Sequence, residues 1–271
     1  MNLKVPAIIF VVVLALSGLA CNKRDVSEFT DTPIIESYLH PGDFFNVQVS
    51  RQTPFSSNVT YSSDDINHLD IQVTSGNGTI YTLQPAGDGK YVDSSLKVAE
   101  GDNYNLSFPF NTKNVSAYTY VPSKPAHPSQ SVTEIYIQRV DSTSGFPGGS
   151  QPDPVDITWD NPDNSNYLLV VENIETTLDP IRNFGNNTPP SNFFRKQPTT
   201  SSSEQISPME FQYYGTHRII IYHVLPDYAA LYDQSSTSSQ NLTNPSTSIT
   251  NGYGIFTGLN SDTLWLEVKE K

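Results

Sequence analysis

LDIQVTSGNGTIYTLQPAGDGKYVDS, residues 69–94, holds three short β-rich runs, LDIQV (69–73), TIYTL (79–83) and KYVDS (90–94). They are separated by Gly76-Asn77-Gly78 and Gly87-Asp88-Gly89, residues that tolerate the positive φ that tight hairpin turns demand. Upstream, PIIESYL (33–39) ends at the turn signal Pro41-Gly42. Phe45, Val47 and Val49 then alternate with Asn46, Gln48 and Ser50, the pattern of a half-buried strand. Downstream come NYNLSF (103–108) and AYTYV (117–121). Short strands punctuated at this spacing predict an antiparallel sandwich over 33–121.

Pro122, Pro125 and Pro128 break the pattern, because repeated prolines remove ladder donors and favour an extended chain, so 122–131 reads as a linker. Beyond it, 132–271 reads as a second β-rich domain. VTEIYIQRV (132–140) precedes a Gly/Pro loop, FPGGSQPDP (146–154). VDITWDNPDNSNYLLVVEN (155–173) has the look of the opening hairpin of a fibronectin-type sandwich. Residues 174–207 form a long, weakly patterned insertion that wraps the surface or stays partly mobile. HRIIIYHVL (217–225) is the most apolar strand of this half. It leads into PDYAALYDQSS (226–236), where Tyr228, Leu231 and Tyr232 fall at helical spacing. Gly252 and Gly254 bracket Tyr253 ahead of two final strands. The expected fold is therefore all-β: two antiparallel β-sandwich-like domains, immunoglobulin or fibronectin in type, with one short helix in the second.

The bulk composition agrees. Of 271 residues 36% are hydrophobic and only 16% charged, which suits β domains better than exposed helices. A formal charge of −13 repels phosphate backbones, so nucleic acid is excluded as a partner. The one cysteine, Cys21, leaves no disulfide to be made. It follows Lys4, the apolar stretch AIIFVVVLAL (7–16) and the small residues Ser17, Gly18 and Ala20, an arrangement resembling the lipobox of bacterial lipoproteins. The expectation is a signal peptide over 1–20, a lipid on Cys21 and a polar tether over 21–32 that anchors the protein to a membrane. The apolar run from Val5 to Ala20 is shorter than the ~20 residues of a spanning helix. Asn22, in place of an Asp after the cysteine, favours the outer membrane.

Several segments together, namely the lipobox, PIIESYLHPGDFFNVQVSR (33–51), GDGKYV (87–92), NYNLSF to YTYVP (103–122), WDNPDNSNYLLV (159–170) and NPSTSITNGYGIFTG (244–258), resemble Bacteroidetes lipoproteins carrying the domain of unknown function 4249. The resemblance implies an outer-membrane or surface lipoprotein with β-rich domains, commonly encoded near TonB-dependent receptors. It carries over no functional residue.

Catalytic signatures are scarce. Ser94 and Lys97 have S-x-x-K spacing, but a strand would send them to opposite faces and no K-T-G or S-D-N partner exists. His217 and His223, six residues apart on a strand, stand roughly 20 Å apart, too far to share a metal. Asp160, Asp163, Asn164 and Asn166 crowd one turn and are the oxygen donors a Ca²⁺ would use, although Asp and Asn also serve turns by local hydrogen bonding. Trp159 and Trp265 could stack a sugar or aromatic ligand, or fill the core. Asp141-Ser142-Thr143 and Asp262-Thr263-Leu264 resemble O-glycosylation acceptors.

The resulting expectation is a protein without enzymatic activity or cofactor: a binding or accessory protein of a TonB-dependent uptake system. Its alternatives are a structural or adhesive surface protein and an uncharacterised hydrolase. A binder needs a concave aromatic pocket, an adhesin exposed edge strands, and a hydrolase two converging carboxylates with raised pKa.

Overall fold

The computed structural model describes residues 31–52, 64–141, 152–183, 189–232 and 247–271. The expected signal peptide, Cys21 and nearly all of the tether lie outside the described residues. So do the loop's residues 146–151, the insertion's 184–188 and the helix's 233–236.

The first half of the chain forms β1 (Pro33–Leu39), β2 (Phe44–Arg51), a one-turn helix α1 (Asp64–Asn67), β3 (Gln72–Ser75), β4 (Ile80–Thr82), β5 (Gln84–Gly87), β6 (Lys90–Lys97), β7 (Asn103–Phe110) and β8 (Lys113–Tyr120). Four antiparallel hairpins result, β1–β2, β3–β4, β5–β6 and β7–β8. At the turn between β5 and β6, Gly87, Asp88 and Gly89 all take positive φ, at 93°, 52° and 73°. The period-2 alternation decides which side chains turn inward. Ile35 and Leu39 of β1 and Phe45, Val47 and Val49 of β2 meet Tyr104, Leu106 and Phe108 of β7 across a common core. Each such side chain contributes roughly 1.5–3 kcal/mol on burial.

The second half adds β9 (Ala126–Gln130), β10 (Glu134–Ile137), β11 (Val140–Asp141), β12 (Val155–Asp160), β13 (Asn166–Asn173), β14 (Asp179–Pro180), β15 (Arg182–Asn183), β16 (Phe193–Arg195), β17 (Ser203–Ile206), β18 (Tyr213–Val224), a short helix α2 (Pro226–Ala229), β19 (Ile249–Thr250) and β20 (Tyr253–Glu270). A second core packs Ile157 and Trp159 of β12 against Tyr167, Leu169, Ile219 and Ile221 of β13 and β18. The fold is thus mostly antiparallel β and sandwich-like, with a three-stranded sheet, β17-β12-β9, and a five-stranded sheet, β19-β8-β7-β3-β4, set against one sheet of ten strands.

That large sheet is continuous because β20 serves both halves. Over its 18 residues it pairs parallel with β1 from Tyr253 to Gly258, then antiparallel with β18 from Leu259 to Val268, and at its end parallel with β10. The two strands expected at the C-terminus are one. Ile249 and Phe256, counted by sequence with 132–271, pack in the first core. Gly254 and Gly258 permit the crossing: a Cβ on either would lie 2.0 Å from a backbone oxygen, that of Ile35 or of Tyr120.

Other expectations are also revised. The strand-turn-strand at 155–173 is not a hairpin: β12 pairs with β9 and β17, whereas β13 pairs with β16 and β18. Both strands are apolar on the face toward the second core, so the turn carries the chain from one sheet to the other. The described parts of the insertion build edge strands, β16 on the large sheet and β17 on the small one. The helix is one α turn followed by a 3-10 turn, Ala230–Tyr232.

Candidate ligand-binding cleft

In β18 the odd-numbered Ile219 and Ile221 enter the second core, while Ile220, Tyr222 and Val224 face the other side of the sheet. There Val224 and, opposite Tyr222 on β13, Leu168 are almost wholly buried. α2 rises beside them. It is pinned to β20 by Asp227, whose Oδ1 accepts from Thr257 Oγ1 at 3.0 Å and from the Tyr228 amide at 2.9 Å. On the far side β16 pairs with β13, Arg195 opposite Val170.

Between them lies a cleft of about 350 Å³. Leu168, Val170, Val224 and Leu259 make its floor, and Tyr38, Tyr222, Tyr228, Phe193 and Arg195 its walls. Tyr38 and Tyr228 meet edge to face, with centroids 6.0 Å apart, and Tyr232 backs Tyr228 at 5.9 Å. The Arg195 guanidinium lies 5.7 Å from the Phe193 ring centre and donates to Tyr232 Oη at 3.1 Å.

Burial, helped by the neighbouring Glu36 carboxylate that accepts its hydroxyl at 3.2 Å, pushes the Tyr38 phenol up to about 12. Burial and Tyr232 raise Tyr228 further, and burial raises Tyr222. All three are neutral donors at physiological pH. The hydrogen bond to Tyr232 keeps Arg195 charged.

A wider hollow of about 620 Å³ lies beside β10, but Glu134 there is held by Lys269, and Asp156 accepts from Gln205. The aromatic cleft is the better candidate because Tyr38, Phe193, Tyr222 and Tyr228 line it, whereas Tyr136 is the one aromatic side chain lining the hollow.

The residues singled out by sequence are dispersed. Asp160, Asp163, Asn164 and Asn166 fall in the β12–β13 turn. Asp160 pairs with His127 at 2.6 Å, Asp163 accepts from Ser165 at 3.0 Å, Asn164 takes φ 55°, and Asn166 opens β13. Among the described residues, no group of three or more His, Cys, Asp or Glu could hold a metal ion. Ser94 and Lys97 are exposed on β6, with Lys97 5.2 Å from the Phe44 ring centre. His217 Nδ1 donates to the Gly215 carbonyl oxygen at 3.0 Å, and His223 Nδ1 to that of Ser123 at 2.8 Å. Trp159 is buried against Tyr167 in the core, whereas Trp265 is 53% exposed. Asp262 bridges to Lys124, and Ser142 and Thr143 lie outside the described residues, as does Cys21.

Sequence reasoning did not assemble the cleft. Only Tyr228 and Tyr232 had been grouped, as a helical stripe. The available signal was the unbroken apolar run of Ile219, Ile220 and Ile221 followed by Tyr222, which shows that both faces of β18 are covered.

A family model described as Domain of unknown function (DUF4249) matches residues 23–264. No curated protein matches the chain.

Proposed function

Because the chain belongs to the DUF4249 family, we propose that it is a lipid-anchored outer-membrane binding protein, without catalytic activity, that serves a TonB-dependent nutrient-uptake system. The observation that carries the binding reading is the cleft, with its apolar floor, aromatic walls and single guanidinium. Such concave, largely apolar sites with a few placed polar groups are how small molecules are held. The lipobox-like sequence ending at Cys21 supports the anchor, since two or three acyl chains at roughly 0.8 kcal/mol per methylene hold a protein on a bilayer. No helix among the described residues is long and apolar enough to cross a membrane.

The hydrolase reading has less support. A general acid needs a raised carboxyl pKa. The shifted carboxyls among the described residues, Asp93, Glu134, Asp163, Glu175, Asp179 and Glu270, all lie below the usual range because hydrogen bonds favour their charged forms. Strand addition is poorly served by the short strands at the sheet ends, which run from two residues in β19 to five in β9.

The test is an affinity pull-down of the tagged, lipidated protein from its native outer membrane, read by mass spectrometry. Stoichiometric recovery of a TonB-dependent receptor is expected. Recovery of the protein alone would remove the uptake role and favour an independent adhesive one. Metabolic labelling with palmitate, present in the native chain and lost in Cys21→Ser, checks the anchor.

A further inference from the structure

We infer that the cleft takes a small aromatic carboxylate, its flat apolar body on the floor and its charged end on Arg195. The inference rests on the binding reading above and assigns that site its ligand class.

The floor asks for an apolar body. The backbone groups of β13, β18 and β20 beneath it are spent on the ladders that join Asn166–Asn173 to His217–Val224 and Gly215–Val224 to Leu259–Val268. A polar ligand group laid on Leu168 and Val224 would lose water and find no partner. A volume of about 350 Å³ is at the small end for ligand sites, which run roughly 300–1,000 Å³. The walls favour a flat ring, because Tyr38 and Tyr228 already stand edge to face and offer both ring edges and faces.

The polar groups argue against a sugar. The Tyr38 hydroxyl is taken by Glu36 and that of Tyr228 by Tyr232, which leaves the Tyr222 phenol as the neutral donor beside the guanidinium, fewer polar groups than the many hydroxyls of a sugar ask for. What the site offers in quantity is one guanidinium. Arg218, two strands in from the edge, is neutralised by Glu172 at 2.6 Å, and Arg139 by Asp179 and Glu270. Arg195, in a chain of net charge −13, meets only a phenol and a phenyl ring among the described residues. A guanidinium carries five donors in a fork that matches a carboxylate. One donor goes to Tyr232 Oη, and among the described residues no hydrogen-bond acceptor takes the others.

The experiment is calorimetric titration of the full mature protein in detergent with 2-naphthoate, with the uncharged 2-naphthamide, and with maltotriose. The expected result is saturable binding of naphthoate, about tenfold weaker binding of the amide, and no heat from maltotriose. Arg195→Met should abolish the difference between naphthoate and the amide. Equal affinities for acid and amide, absence of naphthoate binding, or saturable maltotriose binding would each overturn the assignment. The acid–amide comparison needs no variant, so misfolding of Arg195→Met cannot mask the answer. The pull-down stands apart from this test. A receptor recovered without naphthoate binding defeats only the ligand class, and naphthoate binding without a receptor defeats only the uptake role.

Discussion

Gly258 sits where β20 passes over the end of β8. Its amide donates to Thr119 Oγ1 at 2.9 Å, and a methyl group there would lie 2.0 Å from the Tyr120 carbonyl oxygen. Backbone cannot yield as a flexible side chain does, so Gly258→Ala should cost about 3 kcal/mol. In a protein of this size that lowers Tm by roughly 2–4 °C per kcal/mol. An unchanged Tm in differential scanning fluorimetry would mean the crossing is looser than described. Gly42, at φ 89° with nothing within 4 Å, is the control: alanine there meets backbone strain but no collision. In the sequence Gly252 and Gly254 stand out only as bracketing Tyr253, and Gly258 does not stand out at all. Their reason, close approach to strands far away in the chain, has no local signature. Tyr38 offers a second check at this scale. Tyr38→Phe should remove one late phenol ionisation, near about 12, from the alkaline absorbance titration, and loss of a phenol titrating near 10 instead would contradict its burial beside Glu36.

The far end of β20 is clasped by Arg139. Its Nε and Nη2 donate to Glu270 at 2.9 and 2.8 Å, Nη1 and Nη2 to Asp179 at 2.8 Å each, and the guanidinium lies 4.7 Å from the Tyr214 ring centre. Arg139 holds both carboxyls below their usual range. Depressed carboxyl values stabilise the fold fully above the unfolded values, about 4–4.5, and that stability is lost as pH falls through the lower folded values. Arg139→Ala should therefore unfold with a shallower dependence on pH below about 4.5 in urea titrations, and parallel acid profiles would show the clasp to be idle. Elements were legible where they repeat with period 2 between turn glycines, as in β1, β2, β6, β7 and β8. They were hidden in the insertion: β16 and β17 are no shorter than β3 and β4, but lack the turn glycines that set those two apart. Partners were less legible still. The alternation in β12 and β13 tells which side is buried, but a strand and a turn look the same whether the next strand pairs with the first or leaves for the other sheet.

Across the molecule, the two cores share one strand, Phe256 filling the first and Leu266 the second. Neither sandwich can shed β20 without exposing the other, so unfolding should be a single cooperative event. Phe108→Ala, deep in the first core, should cost about 3–5 kcal/mol. It should also lower the melting midpoint seen by tryptophan fluorescence, which reports Trp159 and Trp265 in the second half, as much as that seen by circular dichroism. Separate midpoints would show independent sandwiches. The cleft shares this dependence, since Tyr38 comes from β1 and Leu168 and Tyr222 from strands of the second half. Residues drawn from five separated segments meet only in the finished sheet, which is why the site could not be read along the chain. The parallel seam between β1 and β20 has one more consequence, and it concerns birth order. Synthesis delivers β1 long before its neighbour: His40 and Ser261, in contact at 3.1 Å, are 221 residues apart. Until residues 253–258 have emerged, one side of β1 is a bare ladder of unpaired amides and carbonyls, open to any passing strand. The nascent chain has to be shielded over that whole interval, and β20 is the strand that closes it.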